Sequence, residues 1–353
     1  MTDFREFYRP GENCTTPWVD VHMWLIHTSE LTISVLGLAL NCIISLLTHR
    51  AAPIPYAQRR QLCGLSLNYA LIGAIQLSRN IFLLFSLREP CLPETNTATC
   101  KLQEFPLVFC YIHGGILACI ISTQMKKKYK ESKRPVPYTW MCSIWQTLTV
   151  CICIAITFVF TAFDNESGPT RRMEQCSILL AIRNYQMVFI LITLLILLHA
   201  IAVLYIVLYV STHSTDCDKK TILSFCVRDV IIVETVGWHL GLLISGFAVA
   251  YRTIWQDTCL ECVYLALELF FVFIPILISF AHPILLIWFV FPIRDSAVRI
   301  FPWMAAILPE YALVPPPAPT QRKSAIPSRK TRRASKKEQE KTTKFIEVKP
   351  VEV

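Results

Sequence analysis

One charge-free stretch constrains the fold of this chain more than any other feature. Between Phe105 and Met125 there is no charged side chain. These roughly 20 residues, at about 1.5 Å of helix per residue, are long enough to cross a hydrocarbon core of about 30 Å. Cys100 precedes the stretch, and a lysine-rich run that starts at Lys126 follows it. Because lysines are retained on the cytoplasmic side, we predict a transmembrane helix whose cysteine end faces an oxidising compartment.

The same pattern recurs along the chain, and the composition excludes an ordinary soluble domain. Hydrophobic residues make up 54% of the 353 residues and charged residues only 17%, against about a quarter in a typical soluble domain. We therefore predict an all-α membrane protein, a bundle of seven transmembrane helices over 24–291. The seven apolar spans lie approximately at 24–48, 61–86, 104–125, 139–163, 187–210, 222–250 and 262–291.

Positive charges between the spans predict how the bundle is oriented. Lysines and arginines are denser in the loops after the first, third and fifth spans than in the opposite loops. The N-terminal segment 1–23 is then extracellular and the C-terminus cytoplasmic, as expected for a multi-pass protein of the plasma membrane. N-glycosylation sequons begin at Asn13 and Asn165, and both fall in segments that this rule places outside. We therefore predict glycosylation at both asparagines.

The cysteines predict disulfides at the outer side of the bundle. An even number of them lies in outside segments, which permits three bridges, and their spacing alone leaves the pairing open. Cys259 and Cys262 also have the spacing of half a zinc site. No second ligand pair lies near them in the sequence, so we predict no metal site. The six outside cysteines are Cys14, Cys91, Cys100, Cys176, Cys259 and Cys262.

Two further segments follow the seventh span. Residues 292–304 begin with a proline and place Ile293, Ala297, Ile300 and Phe301 on one helical face, with arginines left for the other face. This pattern predicts a short amphipathic eighth helix on the inner membrane surface, with a plain loop as the alternative. Residues 305–353 have almost no apolar content and predict a disordered cytoplasmic tail.

The basic tail predicts membrane lipid, and not nucleic acid, as its partner. From Arg322 onward it has eleven Lys and Arg against four Asp and Glu. A tail attached to a membrane bundle meets the anionic inner leaflet first, although a plain solvated tail is an equal alternative. Ser335 follows two arginines and is a predicted phosphorylation site. The final Val351-Glu352-Val353 allows docking to a PDZ domain.

Five of the predicted spans contain short motifs. They are Gly37-x-x-x-Asn41 in the first, Leu67-Asn68-Tyr69-Ala70 in the second, Trp145 in the fourth, Trp238 in the sixth and His282-Pro283 in the seventh. With the cysteine that opens the third span, this set resembles the rhodopsin-like G-protein-coupled receptors over approximately residues 24–304. The resemblance implies a receptor that binds an extracellular ligand and passes a conformational change to a heterotrimeric G protein.

The resemblance also implies a disulfide and excludes some ligands. It pairs Cys100 with Cys176, which leaves Cys259 with Cys262 and Cys14 with Cys91 as candidates for the remaining bridges. The aspartate that holds amines in that family is replaced by Leu107 and the retinal lysine by Ile276, so neither an amine receptor nor an opsin is expected.

Several positions depart from the pattern of that family. Gly73 replaces the sodium-binding aspartate of the second helix, and Met125 replaces the arginine at the end of the third. Leu240 replaces the proline that should follow Trp238. The chain therefore resembles a divergent orphan receptor or a nematode serpentine chemoreceptor.

Side chains at comparable depth in the third, fifth, sixth and seventh spans form a predicted ligand pocket. Most of them are apolar, which predicts a small apolar molecule or the hydrophobic end of a peptide as the ligand. Packing of the same residues against each other is the alternative. The predicted lining is Glu104, Leu107, Val108, Tyr111, Trp238, Gly241, Leu242, Ser245, Val272 and Ile276.

Three ionisable residues, Glu30, Arg79 and Glu268, lie inside predicted spans, where an unpaired charge is costly. Each lies about 6–7 residues, or roughly 10 Å, from the outer end of its span, so the three share one layer. Helices one, two and seven are neighbours in the receptor fold. We therefore predict that Arg79 pairs with Glu268, with Glu30 or with both, and snorkelling to the interface is the alternative.

Two other functional classes compete with a receptor. A seven-span transporter or channel would be marked by an internal repeat or by discontinuous helices. We find no repeat, although Pro106, Pro275 and Pro283 could interrupt helices. An enzyme is not expected, because the sequence has no glycine-rich phosphate loop, no HExxH motif and no recognisable Ser/His/Asp arrangement. No cofactor is predicted either.

Overall fold

The protein is helical in the parts of the chain that the computed structural model describes. These are residues 21–51, 54, 56–86, 95–126, 136–162, 172–173, 176–182, 184–212, 219–254 and 260–308. One pair of two-residue antiparallel strands, β1 (Thr95–Asn96) and β2 (Arg172–Met173), accompanies the helices. Several predicted features lie outside the described residues: the sequons at Asn13 and Asn165, Cys14, Cys91, Cys259, Ser335 and the tail from 309 onward.

Seven long helical segments follow each other in the described ranges. They begin with α1 (Val21–Arg50), α2 (Tyr56–Ser86), α3 (Thr97–Lys126) and α4 (Val136–Ala162). A short α5 (Ile178–Ala181) precedes α6 (Tyr185–Thr212) and α7 (Lys219–Ile254). The last long segment, residues 260–289, consists of α8 (Leu260–Leu267), a π-helical turn (Glu268–Phe273) and α9 (Ile274–Phe289). The short α10 (Phe291–Ile300) and a 3₁₀ turn (Pro302–Ala306) follow it.

Five of these helices are long and apolar enough to cross a membrane. They are Trp24–Arg50, Thr97–Thr123, Tyr185–Tyr209, Val227–Ile254 and Cys262–Phe289. They coincide with the first, third, fifth, sixth and seventh predicted spans. In the region of the fourth span the apolar helix Gln146–Thr161 is shorter. The helix α2 is long, but Arg59, Arg60 and Arg79 reduce its apolar character.

The long helices pack side by side in a ring. Along this ring α1 contacts α2, α2 contacts α3, α3 contacts α6, α6 contacts α7, and α7 contacts α9. The ring closes where α9 returns to α1 and α2, and α4 lies against α3. This order brings α1, α2 and the last long segment next to each other, the adjacency on which the predicted charge layer depends.

Proline at position 275 gives the last segment a polar contact with α3. The π-helical turn ends immediately before Ile274, and Pro275 has no N–H to donate to the preceding turn. The carbonyl of Phe271, four residues earlier, accepts a hydrogen bond from the Tyr111 hydroxyl at 2.9 Å. The chain therefore continues as a helix after this proline while α3 supplies the missing donor.

Proline at position 283 is accommodated in the same way by α1. Pro283 lies inside α9 and leaves the carbonyl of Ser279 without its helical donor. The side-chain amide of Asn41 donates to that carbonyl at 2.7 Å and also to the carbonyl of Gly37 at 2.8 Å. This contact gives the Gly-x-x-x-Asn motif of the first helix a structural role. Pro106 likewise lies inside α3 without ending it.

The segment after the last long helix differs from its prediction. The helix α10 covers Phe291–Ile300, so it is shorter than the predicted 292–304. Of the apolar face that the pattern indicated, Ile293 and Ala297 are buried but Ile300 is exposed. Arg294 was expected on the polar face but is also buried, because its guanidinium lies 4.7 Å from the centre of the Phe291 ring. The described residues up to Pro302 form one compact unit.

The close approach of α7 to the last segment at Gly241 yields a test of the packing. A Cβ atom at this position would lie 2.5 Å from the carbonyl oxygen of Phe270. Gly241→Ala should therefore destabilise the bundle by about 1–3 kcal/mol, measured as a lower midpoint of thermal unfolding in detergent.

Gly246→Ala is the matched control on the same helix. A Cβ atom there would meet its nearest neighbour, the Ile192 side chain, at an ordinary 3.6 Å, so the unfolding midpoint should stay close to that of the wild type. Equal midpoints for the two variants would contradict the close approach at Gly241.

Candidate functional site

A disulfide holds the segment before α5 against the beginning of α3. Cys100 and Cys176 are bonded, with their Cα atoms 5.3 Å apart, as the family resemblance implied. The strand pair lies next to it, with Thr95 opposite Met173. We refer to this end of the bundle as the disulfide end. Of the other cysteines predicted to form bridges, only Cys262 lies in the described ranges, and it is also disulfide-bonded.

Arg79 of α2 forms an ion pair with Glu268 at the disulfide end. Its two terminal nitrogens donate to the two carboxylate oxygens at 2.6 and 2.8 Å, the bidentate geometry that a planar guanidinium favours. Its Nε atom lies 3.7 Å from a carboxylate oxygen of Glu104. The side chain of Arg79 is only 15% exposed, so the pair joins α2 to the last segment in a largely buried position.

Glu30, the third member of the predicted charge layer, pairs with a histidine and not with Arg79. Its Oε2 atom lies 3.2 Å from Nδ1 of His27, one turn earlier on α1. The same nitrogen lies 3.2 Å from Oδ1 of Asn80 and 4.0 Å from Oε1 of Glu268. The histidine therefore connects α1 with α2 and the last segment, a contact that the sequence analysis did not predict.

Several fully buried polar atoms near this layer have no hydrogen-bond partner. They are Oε1 of Glu30, Nδ2 of Asn80, Oγ of Ser34 and both side-chain amide atoms of Gln76. Gln76 lies one turn before Asn80 on α2, and Ser34 one turn after Glu30 on α1. Since buried polar groups are nearly always paired, so many unpaired atoms at one helix contact indicate a site for water, an ion or a ligand.

A cavity of about 330 Å³ opens beside Arg79, between α2 and α3. Its polar lining comes from Gln76, Ser78, Arg79, Gln103 and Glu104. The disulfide cysteine Cys176 also borders it. The apolar lining includes Leu107 of α3. A space of this size with a few buried polar groups is typical of a small-molecule site.

This cavity shares two residues with the predicted ligand pocket. Of the ten residues predicted to line a pocket, only Glu104 and Leu107 border the cavity between α2 and α3. The others include Tyr111 and Trp238, whose rings pack edge to face with centroids 4.9 Å apart. Gly241 lies where α7 touches the backbone of Phe270. The remaining predicted residues, Val108, Leu242, Ser245, Val272 and Ile276, are buried.

A second polar network lies deeper in the bundle, between α2, α7 and α9. His282 of α9 has its Nδ1 atom 2.5 Å from Oε1 of Glu234 and its Nε2 atom 3.0 Å from the hydroxyl of Ser66. The Tyr69 hydroxyl donates to the other carboxylate oxygen of Glu234 at 3.1 Å. All four residues are buried. The indole N–H of Trp238 donates to the Tyr69 hydroxyl at 3.4 Å.

The order serine, histidine, glutamate resembles that of hydrolase triads, which the sequence analysis did not find. The three residues come from three helices, so no sequence motif could reveal them. Ser66 also donates to the carbonyl of Leu62, and it lies inside a regular helix whose amides bond within the helix. That helix offers no oxyanion hole beside the serine. The network is therefore better explained as a buried connection between helices than as a catalytic centre.

Glu234 could have been identified from the sequence by the rule that revealed the charge layer. It is an ionisable residue inside the sixth predicted span, where a charge without a partner is costly. Ser66 and Tyr69 carry no comparable signal, because hydroxyl groups in apolar helices usually bond to their own backbone. Asn80 and Gln76 are also informative, since amides on an apolar helix need partners from other helices.

Comparison with known proteins shows one extensive similarity. Over 319 residues the chain is 41% identical to "Uncharacterized protein T09B9.5" of Caenorhabditis elegans. The alignment covers 88% of this chain and 86% of that protein. No family profile matches the chain.

The ion pair between Arg79 and Glu268 predicts a strong coupling of their substitutions. Arg79→Met leaves a buried carboxylate without its partner and should cost about 3–5 kcal/mol, measured by thermal or denaturant unfolding in detergent. Arg79→Met combined with Glu268→Gln should recover part of this loss, because no unpaired charge remains.

Arg228→Met is the control for the loss of an arginine. Arg228 and Asp229 form an ion pair whose side chains are 30% and 36% exposed, so their separation should cost only about 0–1 kcal/mol. If Arg79→Met were no more damaging than Arg228→Met, or if Glu268→Gln only added to its cost, the buried pair would not stabilise the bundle.

Proposed function

We propose a receptor function for this chain, which belongs to the family of the Caenorhabditis elegans protein T09B9.5. In this proposal it is a divergent seven-span receptor of the rhodopsin-like, G-protein-coupled type in the plasma membrane. An extracellular ligand binds at the disulfide end, and a heterotrimeric G protein responds at the cytoplasmic end. The N-terminus is outside and the basic tail is inside, near anionic lipid.

The observation that carries the proposal is a continuous series of contacts from the cavity to the deep polar network. Leu107 borders the cavity, and Tyr111 follows it one turn later on α3. The Tyr111 ring packs against Trp238 of α7, and Trp238 donates to Tyr69. The Tyr69 hydroxyl in turn donates to Glu234. A ligand that displaces α3 at the cavity would therefore change the surroundings of Glu234.

The aromatic contacts around Trp238 support a movable junction at this point. His199 of α6 stacks on the Trp238 ring with centroids 5.0 Å apart, while Tyr111 packs on it edge to face. Its hydrogen bond to Tyr69 is long, at 3.4 Å. Four helices thus meet at one side chain through weak and directional contacts. A receptor needs such an element with two alternative arrangements, because a ligand can only shift an equilibrium between states.

The helix arrangement supports seven spans and an eighth helix. The helices α2 and α4 pack with the five apolar helices and would be the second and fourth spans. The first of them is more polar than those five helices and the second has a shorter apolar part. In α2 the side chains of Asn80 and Arg79 have partners inside the bundle and Gln76 borders the cavity, so a charged span can be tolerated. The helix α10 would then lie at the inner surface, with its buried apolar face against the bundle.

The lining of the cavity suggests the class of ligand. A space of about 330 Å³ suits a small molecule, and the side chains of Gln76, Arg79 and Glu104 offer donors and acceptors within it. We therefore propose a small ligand with a polar or ionic group. This differs from the mainly apolar ligand that the sequence predicted, because the predicted apolar pocket residues largely pack against each other.

The proposal is tested by the activation of heterotrimeric G proteins in cells that express the full chain. Basal activation can be measured without a known ligand, for example by resonance energy transfer between G-protein subunits over all G-protein classes. Met125→Arg restores the arginine that the family has at this position and should raise basal activation, since the guanidinium can make charge-assisted contacts.

Gln124→Arg adds the same charge one position earlier and is the matched control, expected to leave basal activation unchanged. No activation by any variant, at normal surface expression, would contradict coupling to G proteins. Solute or ion flux through the purified protein in liposomes would then favour the transporter or channel that was the alternative to a receptor.

A further inference from the structure

A histidine nitrogen at the disulfide end is surrounded by oxygen atoms from three helices. Nδ1 of His27 lies 3.2 Å from Glu30 and 3.2 Å from Asn80, and 4.0 Å from Glu268. The nitrogen of His27 and the carboxylate oxygens of Glu30 and Glu268 lie within 4.8 Å of one another. Two ligands of one cation at about 2.0–2.2 Å lie at most about 4.4 Å apart, so these donor atoms need only small side-chain movements to converge on one cation.

Two side chains at this point have donor or acceptor atoms without a partner. Asn80 is fully buried and is directed into the cluster by its contact with His27, yet its Nδ2 atom has no hydrogen-bond partner. Glu30 is also fully buried, and its Oε1 atom has none. Of the two atoms only Oε1 of Glu30 is an acceptor that a cation can bind, and its lack of a partner is evidence independent of the spacing of the donor set.

The cluster holds more carboxyl groups than cationic groups. Glu104 and Glu268 face the guanidinium of Arg79 and Glu30 faces His27, so the cluster would carry two negative charges with all three carboxyl groups ionised and His27 neutral. In a buried position of low dielectric such an excess is strongly unfavourable. One divalent cation would neutralise it.

We propose that His27, Glu30, Asn80 and Glu268 form a binding site for a divalent transition-metal cation of the zinc class. One imidazole nitrogen with carboxylate and amide oxygens suits Zn²⁺ and related ions, whereas Mg²⁺ and Ca²⁺ prefer oxygen ligands alone. Arg79 does not bind the metal but orients Glu268 through its two hydrogen bonds.

Metal bound here would connect three helices beside the cavity. His27 and Glu30 lie on α1, Asn80 on α2, and Glu268 in the π-helical turn of the last segment. Arg79, which borders the cavity, contacts the ligand Glu268 directly. The site is independent of the proposed receptor function, because it rests on the donor set alone, and its test uses no signalling measurement.

The test measures Zn²⁺ binding to the purified full chain in detergent after treatment with a chelator. We expect one Zn²⁺ per chain at this site, a higher midpoint of thermal unfolding in the presence of Zn²⁺, and no such increase with Mg²⁺ at the same concentration. His27→Gln and Glu30→Gln should each weaken the binding at least about tenfold, since each removes a ligand atom.

His239→Gln is the matched control, because His239 lies on α7 with its Nε2 atom near the carbonyl of Ile196, away from the cluster. This variant should bind Zn²⁺ as the wild type does. X-ray absorption at the zinc edge of the wild-type protein adds a measurement that no folding defect can affect. It should show nitrogen and oxygen ligands at about 2.0–2.1 Å and none of the sulfur at about 2.3 Å that cysteine would give.

Three results would overturn the site. They are the absence of saturable Zn²⁺ binding, binding that both His27→Gln and Glu30→Gln retain, and a coordination shell of sulfur atoms.

Discussion

The ion pair between Arg79 and Glu268 is the interaction on which the disulfide end of the bundle depends. A guanidinium cannot lose its charge at any workable pH, so its burial requires a carboxylate in a fixed position. That requirement determines which faces of α2 and the last segment meet. It also brings Glu104 and the histidine of α1 into the same layer, because both lie within 4.0 Å of members of the pair. The cavity and the proposed metal site both lie directly beside this pair.

Hydrogen bonds between helices set the remaining contacts of an otherwise apolar interior. Apolar packing tolerates sliding and rotation, but a polar atom without a partner is costly, so paired polar atoms define one register. Asn41 bonds to the carbonyl that Pro283 leaves free, and Tyr111 bonds to a carbonyl in the π-helical turn before Pro275. The carbonyl oxygens that Pro275 and Pro283 leave without a helical donor therefore accept hydrogen bonds from neighbouring helices.

The sequence predicted the charge layer because the cost of a buried charge depends on depth, and depth can be counted along an apolar span. It predicted the helical architecture because a long apolar segment in a membrane can satisfy its own backbone polar groups as a helix. It did not predict the cavity, because a cavity depends on which side chains fill the space between helices. Two residues of the predicted pocket, Tyr111 and Trp238, pack against each other. His282 was recognised only as a motif position, since its partners Glu234 and Ser66 come from other helices.

The helix α2 and the last long segment are connected at two levels. Arg79 meets Glu268 at the disulfide end, and Ser66 meets His282 in the deep network. Glu268 and His282 are fourteen residues apart, and Ser66 and Arg79 thirteen, so both helices place the two levels about 20 Å apart. Two antiparallel helices that are joined at matching distances resist both tilting and sliding. Any conformational change is therefore more easily accommodated by α7, whose Glu234 joins this rigid pair at the deep level and whose Trp238 rests on weak aromatic contacts.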